Sequence, residues 1–428
     1  MRRRSLLGVA AAAGLVGAAA GCDEEPTVAP AAPGAPPLIP TDWASVRGQF
    51  AVNADLAHLS AFVFATHPAS VRAAIDRHRA GLDADPIGYL HENEARLDQA
   101  VASAAANYLS VQSDRVAFTD STTMGLGLLY SGLRLARGDE VLTTEHDFYA
   151  THETLRLRAE RDGVAVKRVR LYADAATASV DEIVGNLSRA VGPRTRVVAI
   201  TWVHSSTGVR LPVRAIADAL RGRDVLLCVD GVHGFGAVDA GPDDLGCDFL
   251  VSGCHKWLLG PRGTGLISGT TEAWARFTPI IPAFDGRSIG AWLGFDSGPT
   301  PPGPAATPGG YHSFEHRWAL AEAFDFHKAI GRDRVATRTT ELATALKDGL
   351  AGIAGLTLVT PKSPELSAGV VCCTVPNVAV DEAVSRLRGL KVVASSTPYR
   401  PSYLRFGTTI VNSEADVEAA LKATRTLA

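Results

Sequence analysis

Between residues 113 and 269, short apolar runs of β character alternate with stretches of helical periodicity, and this alternation restricts the fold more than any other feature of the 428-residue chain. The runs cover 115–119, 140–144, 165–171, 195–203, 224–230, 249–252 and 265–268; helical patterns cover 123–135, 149–162, 179–191 and 212–221. Such a pattern builds a mostly parallel sheet covered by helices. Ligands on sheets of this kind bind in the loops beyond the carboxyl ends of the strands, so chemistry is expected there.

The turn between the last two runs holds His255-Lys256-Trp257, followed by Gly-Pro-Arg-Gly-Thr-Gly265. Apolar flanks disfavour an ammonium, so Lys256 is expected to titrate low enough to act as a nucleophile and form a Schiff base. Asp230 closes the run 224–230, which places a carboxylate at a strand's carboxyl end, where it keeps a pyridinium nitrogen protonated. Taken singly, Lys256 reads as a solvated loop lysine and Asp230 as a turn residue. In combination and in this order they point to an aldehyde cofactor, pyridoxal 5'-phosphate.

The His255-Lys256 segment, with Asp230-Gly-Val-His233 one strand earlier, resembles the lysine region of class V aminotransferases, which are fold-type-I pyridoxal phosphate enzymes. Within that family His-Lys-Trp resembles the isopenicillin N epimerase-like branch more than the cysteine desulfurases. The resemblance implies a mostly parallel seven-stranded sheet sandwiched by helices, a smaller α+β C-terminal domain, and a homodimer with active sites at the subunit interface.

Further site residues follow motif by motif. Ser121-Thr122-Thr123 stands between a run and a helix, where amides and hydroxyls face an anion, although the same residues cap a helix with no ligand present. The resemblance makes them the phosphate cup and counts His255 among the cofactor residues. Glu145-His146 resembles the family segment whose histidine stacks on the pyridine ring, from where it also moves protons; Tyr149 is an alternative stacker, and a loop hydrogen bond the plainer role. Ser205 occupies the place of an asparagine that touches the cofactor's phenolic oxygen. His233 is the better candidate for that oxygen, against a plain turn histidine. Arg405, in Tyr-Leu-Arg-Phe-Gly407 ahead of Asn412-Ser, resembles the family's substrate-carboxylate clamp, with a surface-strand arginine as the rival reading.

Two departures limit the transfer. Where many members carry Gly-Thr, reaching a neighbouring subunit's phosphate, this chain has Ser313-Phe-Glu-His316-Arg317-Trp318, so that contact is absent or made by Arg317. The stretch 393–403 contains no cysteine, which disfavours sulfur extraction through a cysteine persulfide. The expected activity is amino transfer on an amino acid or amine, ahead of an epimerase or carbon–sulfur lyase. Outside catalysis stands a lipid-tethered binding protein on the same fold, which has no need of the lysine.

The ends and the composition complete the outline. Residues 1–22 combine an Arg-Arg-Arg start, a short apolar run and Ala-Ala-Gly-Cys22, which reads as a twin-arginine-type export signal with a relaxed lipobox. The expected protein is periplasmic or membrane-anchored through a lipid on Cys22. Residues 23–42, rich in proline and alanine, read as a tether; 43–310 as an N-terminal segment and large cofactor domain; 311–428 as the small domain. Loss of the signal's three arginines moves the net charge from −3 to −6, which gives no basis for nucleic-acid binding. Of the five cysteines beyond Cys22, four lie in or beside apolar runs and the fifth, Cys254, stands next to the lysine turn, without zinc-site spacing. Replacing Cys22 with Ala is expected to move the protein from the membrane fraction to the soluble fraction; a wild-type chain that already fractionates as soluble overturns the tether.

Overall fold

The computed structural model describes residues 36–427; the expected export signal, Cys22 and the first part of the expected tether lie outside them. Two strands precede or open the large domain, β1 (Ala57–His58) and β2 (Val116–Thr119). They are followed by β3 (Glu140–Thr144), β4 (Ala165–Val169), β5 (Thr195–Thr201), β6 (Leu226–Asp230), β7 (Phe249–Gly253) and β8 (Gly265–Gly269). The last seven form one sheet in the order β2-β8-β7-β6-β5-β3-β4. Neighbours from β4 through β7 run parallel, and β8 is antiparallel to both β7 and β2. This is the expected mostly parallel sheet.

Strand pleating sorts its apolar residues into two layers. On β5, Val198 and Ile200 join the helices Ala69–Ala84, Pro86–Leu109 and Val180–Ala190, while Val197 and Ala199 join Thr122–Gly132 and Tyr149–Asp162 on the opposite face. On β6, Leu227 and Val229 divide from Leu226 and Cys228 in the same way. Burial on both faces explains why these runs are continuously apolar. Helix starts carry local signals: Ser179 accepts from the Glu182 amide, with Asp181 and Glu182 in the first turn.

The small domain adds β9 (Thr357–Leu358), β10 (Val370–Thr374), β11 (Val392–Val393), β12 (Ser395–Ser396) and β13 (Leu404–Gly407). Four of them form an antiparallel sheet ordered β12-β13-β10-β9, and β11 pairs in parallel with β1. The cores therefore divide the chain differently from a boundary at 310/311. Ala57 and Leu59 are buried with Leu342, Leu346 and Phe406 in the small domain, whereas Leu320, Ala323 and Phe324 belong to the large-domain core. Hydrophobic burial across the cleft, rather than chain order, sets the division.

One segment differs from its outline in sequence. Within the expected tether, Leu38 packs with Val46, and the Ile39 amide donates to Ser45 Oγ at 2.8 Å. The Pro/Gly-rich stretch 297–310 covers the sheet edge. Its short helix Pro302–Ala306 lies on β2, and Thr307 Oγ1 accepts from the Phe118 amide at 3.0 Å. An edge strand needs such a cover to avoid pairing with other chains.

Asp147 joins two strand ends in the large domain. Its buried carboxylate accepts from Thr143 Oγ1 (2.8 Å), the Thr144 amide (2.7 Å) and the Thr201 amide (2.7 Å), tying the turn after β3 to the end of β5. Asp147→Ala leaves three buried donors unanswered and is expected to cost about 2–4 kcal/mol of stability, read by chemical denaturation.

Candidate active site

β6 and β7 end side by side, and the residues that follow them meet. Asp230, the last residue of β6, is buried, and its Oδ1 accepts from the Val232 amide at 3.0 Å. Three residues on, His233 Nε2 lies 3.3 Å from Lys256 Nζ, from the turn after β7. The indole nitrogen of Trp257 donates to the other ring nitrogen, His233 Nδ1, at 3.0 Å. Burial, opposed by Asp230 and helped by the Arg405 charge, lowers the Lys256 ammonium to about 8. Burial raises Asp230 to about 7, held back by the Val232 amide and by Lys256. A lysine near 8 has an appreciable fraction of free amine at neutral pH, as a nucleophile requires.

The start of the helix Thr122–Gly132, a candidate anion cradle, meets the end of β7 close to the turn of Lys256. Ser121 caps the helix Thr122–Gly132 by accepting from the Met124 amide at 3.2 Å, so its hydroxyl serves the cap. Thr122 Oγ1 accepts from the Gly253 amide at 2.7 Å, pinning the helix start to the end of β7. Thr123 is exposed at the first turn, where helix amides have no partner inside the helix. A Cβ built on Gly253 would stand 3.1 Å from both His255 Nδ1 and Thr122 Oγ1, so the imidazole and the helix start border one space. His255 Nδ1 is buried without a hydrogen-bond partner. Thr201 Oγ1 is likewise orphaned, and Thr201 is paired with Asp230 in the sheet.

Arg405 reaches this region from β13. Its Nη1 donates to the Ser205 carbonyl at 3.2 Å and its Nε to Ser395 Oγ at 3.1 Å, with the guanidinium carbon 5.1 Å from the Phe62 ring centre. It is a buried arginine held between the domains rather than a surface-strand residue. Ser205 Oγ is engaged by the hydroxyl of Tyr399 at 2.8 Å, and His233 has its Nδ1 on Trp257 and its Nε2 beside Lys256. His146 stacks on Tyr172, ring centres 3.9 Å apart at 10°, so one face is covered from within the protein. Burial drives His146 down to about 3, followed by the charge of His204, and its imidazole is neutral at physiological pH. Tyr149 is 68% exposed at a helix start, away from a stacking role. Arg317 is buried with its guanidinium over the Phe118 ring at 5.1 Å.

Sequence reasoning missed Tyr399, Trp257, Tyr172 and Phe62 as site residues. Trp257 carried a signal through its place beside Lys256. Tyr399 and Phe62 carried none, because they enter from a loop and from an N-terminal segment remote in the chain.

These residues fit pyridoxal phosphate: an amine, a buried carboxylate for the ring nitrogen, and an anion cradle with an orphaned imidazole nitrogen. The comparisons agree. Residues 65–419 match the family model of class-V aminotransferases. An isopenicillin N epimerase from Amycolatopsis lactamdurans is 29% identical over 91% of this chain and 100% of its own length. A probable cysteine desulfurase from Xylella fastidiosa (strain Temecula1) is 28% identical over 76% of this chain and 78% of its own. Among solved structures, the cystine C–S lyase C-DES in complex with its product cysteine persulfide superposes with a TM-score of 0.79 at 20% identity, covering 87% of this chain and 98% of that one. Fold and site define a fold-type-I, pyridoxal-phosphate-dependent enzyme. The chain belongs to the class-V aminotransferase family.

Because free amine is the reacting form of Lys256, capture of pyridoxal phosphate by cofactor-free protein is expected to speed up as pH rises and to level off above about 8. Arg405→Ala removes a like charge and moves that midpoint upward; a stopped-flow absorbance series against pH reads both, and a flat profile contradicts the assignment.

Proposed function

We propose that the protein inverts the α-carbon of an amino acid by moving its α-proton, as an epimerase of the isopenicillin N epimerase kind. The observation that carries the reading is that the buried Arg405 lies near two proton-bearing groups from different domains. The Lys256 amine comes from the large-domain turn, and the Tyr399 hydroxyl from the loop just before Arg405. Tyr399 and Arg405 share Ser205 as partner, one through its hydroxyl and one through its carbonyl. When bound, the cofactor withdraws electrons from the substrate's α-carbon. Arg405 orients a substrate carboxylate through its planar fork, Asp230 holds a ring proton, and Lys256 takes the α-proton as base. Burial keeps Tyr399 protonated, so it enters the reaction as a donor. The epimerase relative supports this reading by matching along its entire length.

Amino transfer is the second reading, because it needs the same clamp, carboxylate and lysine. Sulfur extraction by a protein thiol fits less well: among the described residues every cysteine is buried, and burial pushes the Cys254 and Cys372 thiols up to about 12.

Incubation with single-enantiomer amino acids in deuterated water is expected to give deuterium at the α-carbon and the opposite stereoisomer, without keto acid. Keto acid as the main product assigns amino transfer, and a released side-chain fragment assigns a lyase. Tyr399→Phe is expected to slow inversion at least about 100-fold while Lys256 still exchanges the α-proton, so deuterium uptake into unreacted enantiomer outruns inversion. Equal loss of both removes Tyr399 from proton transfer.

A further inference from the structure

Trp257 has no place in the chemistry above, yet its one polar atom is spent on the residue that faces the reacting amine. The indole N–H is a donor only, and it points at His233 Nδ1 from 3.0 Å. That nitrogen must therefore present its lone pair. His233 is 3% exposed, and burial, followed by the charges of Lys256 and Arg405, holds it neutral. A neutral imidazole with an accepting Nδ1 carries its proton on Nε2, and Nε2 is the atom 3.3 Å from Lys256 Nζ.

We propose that Trp257 is a positioning residue that locks His233 as its Nε2-protonated tautomer, so that the imidazole offers a donor, never an acceptor, to the Lys256 amine. The consequence is directional. A free amine accepts from Nε2–H through its lone pair, whereas an ammonium would set N–H against N–H. The lock thus favours the nucleophilic form of Lys256 in cofactor-free protein. With pyridoxal phosphate bound, the same N–H would be free to donate to the cofactor's phenolic oxygen.

The indole is held for this task. It stacks on Phe62 with ring centres 5.5 Å apart at 25°, and Phe62 in turn lies under Arg405. A Cβ on Gly369 would overlap the six-membered ring of Trp257, and one on Gly407 would overlap Phe62, so two glycines of the small domain keep room for the stack. The indole, Phe62 and the guanidinium form one wall running from the amine to the carboxylate clamp.

The inference rests on the cofactor reading only for the phenolic-oxygen step; the tautomer is measurable without cofactor. In 15N-histidine-labelled, cofactor-free full chain, long-range nitrogen–proton spectra are expected to show His233 with Nε2 protonated and Nδ1 bare, assigned by its loss in His233→Gln. A wild-type His233 protonated on Nδ1, or on both nitrogens, overturns the proposal outright. Trp257→Phe keeps the aromatic stack and removes the donor. It should release the proton to Nδ1 and raise the pH midpoint of cofactor capture by about one unit, as the imidazole then accepts from the ammonium. Asp230, Arg405 and His255 also face Lys256 and are unchanged in the variant. With loaded enzyme, kcat should fall at least tenfold while KM for amino substrate, set by Arg405, stays within about twofold. In a His233→Gln background, whose amide donates without a tautomer, Trp257→Phe should have no further effect on midpoint or kcat. A tautomer unchanged by Trp257→Phe, or an equal effect in the glutamine background, assigns Trp257 to packing alone. Failure of the epimerase reading would change the products in deuterated water and leave the tautomer and the capture midpoint as stated.

Discussion

Burying a lysine amine at the carboxyl edge of the sheet is the constraint on which the rest of the site depends. Taking an ammonium out of water is costly, and the protein answers with Asp230 for partial compensation, while His233 stands against the amine at 3.3 Å. Full compensation would give a stable ion pair and a poor nucleophile. Arg405, a second cation close enough to matter, keeps the balance short of that. In the proposed reaction the same arginine addresses the substrate carboxylate, so one charge would both tune the amine and orient the substrate.

The sheet makes this arrangement cheap in backbone terms. Parallel β6 and β7 deliver Asp230 and the turn of Lys256 to the same edge, and the start of the helix Thr122–Gly132 meets the end of β7 through the Thr122–Gly253 bond. Asp147 ties the turn after β3 to β5 and holds His146 on the neighbouring loop. Side chains far apart in sequence thus converge on elements that are already rigid.

What was legible in the sequence tracks the range of the forces involved. Strands buried on both faces must be continuously apolar, so all seven runs stood out. Glu140–Thr144 and the helix Tyr149–Asp162 match residue for residue, and elsewhere the ends either coincide or shift by one to three positions. Lys256, Asp230, His233 and Arg405 were visible because each sits at a strand or turn with a local pattern. Illegible was whatever depended on tertiary choice: that Phe62 slides beneath Arg405, that Tyr399 takes the Ser205 hydroxyl, that a proline-rich stretch covers the β2 edge, and that Ala57 and Leu59 complete a core built mainly from residues beyond 340. None of these leaves a periodic trace.

The contacts across the cleft also bear on how reaction type is decided on a shared scaffold. An amine, a ring carboxylate and a carboxylate clamp are needed by transaminases, epimerases and lyases alike, so they discriminate little. The difference must lie in what the loop before the clamp presents. Here that loop presents a phenol, itself anchored to the large domain through Ser205, and no thiol is exposed among the described residues. A buried phenol gives up a proton only to a carbon that has become strongly basic, and regains it readily; a thiolate attacks sulfur. On the proposed reading, the choice of side chain at this one loop separates proton return from sulfur transfer, while the wall of Trp257, Phe62 and Arg405 would serve either chemistry by holding the arginine in place.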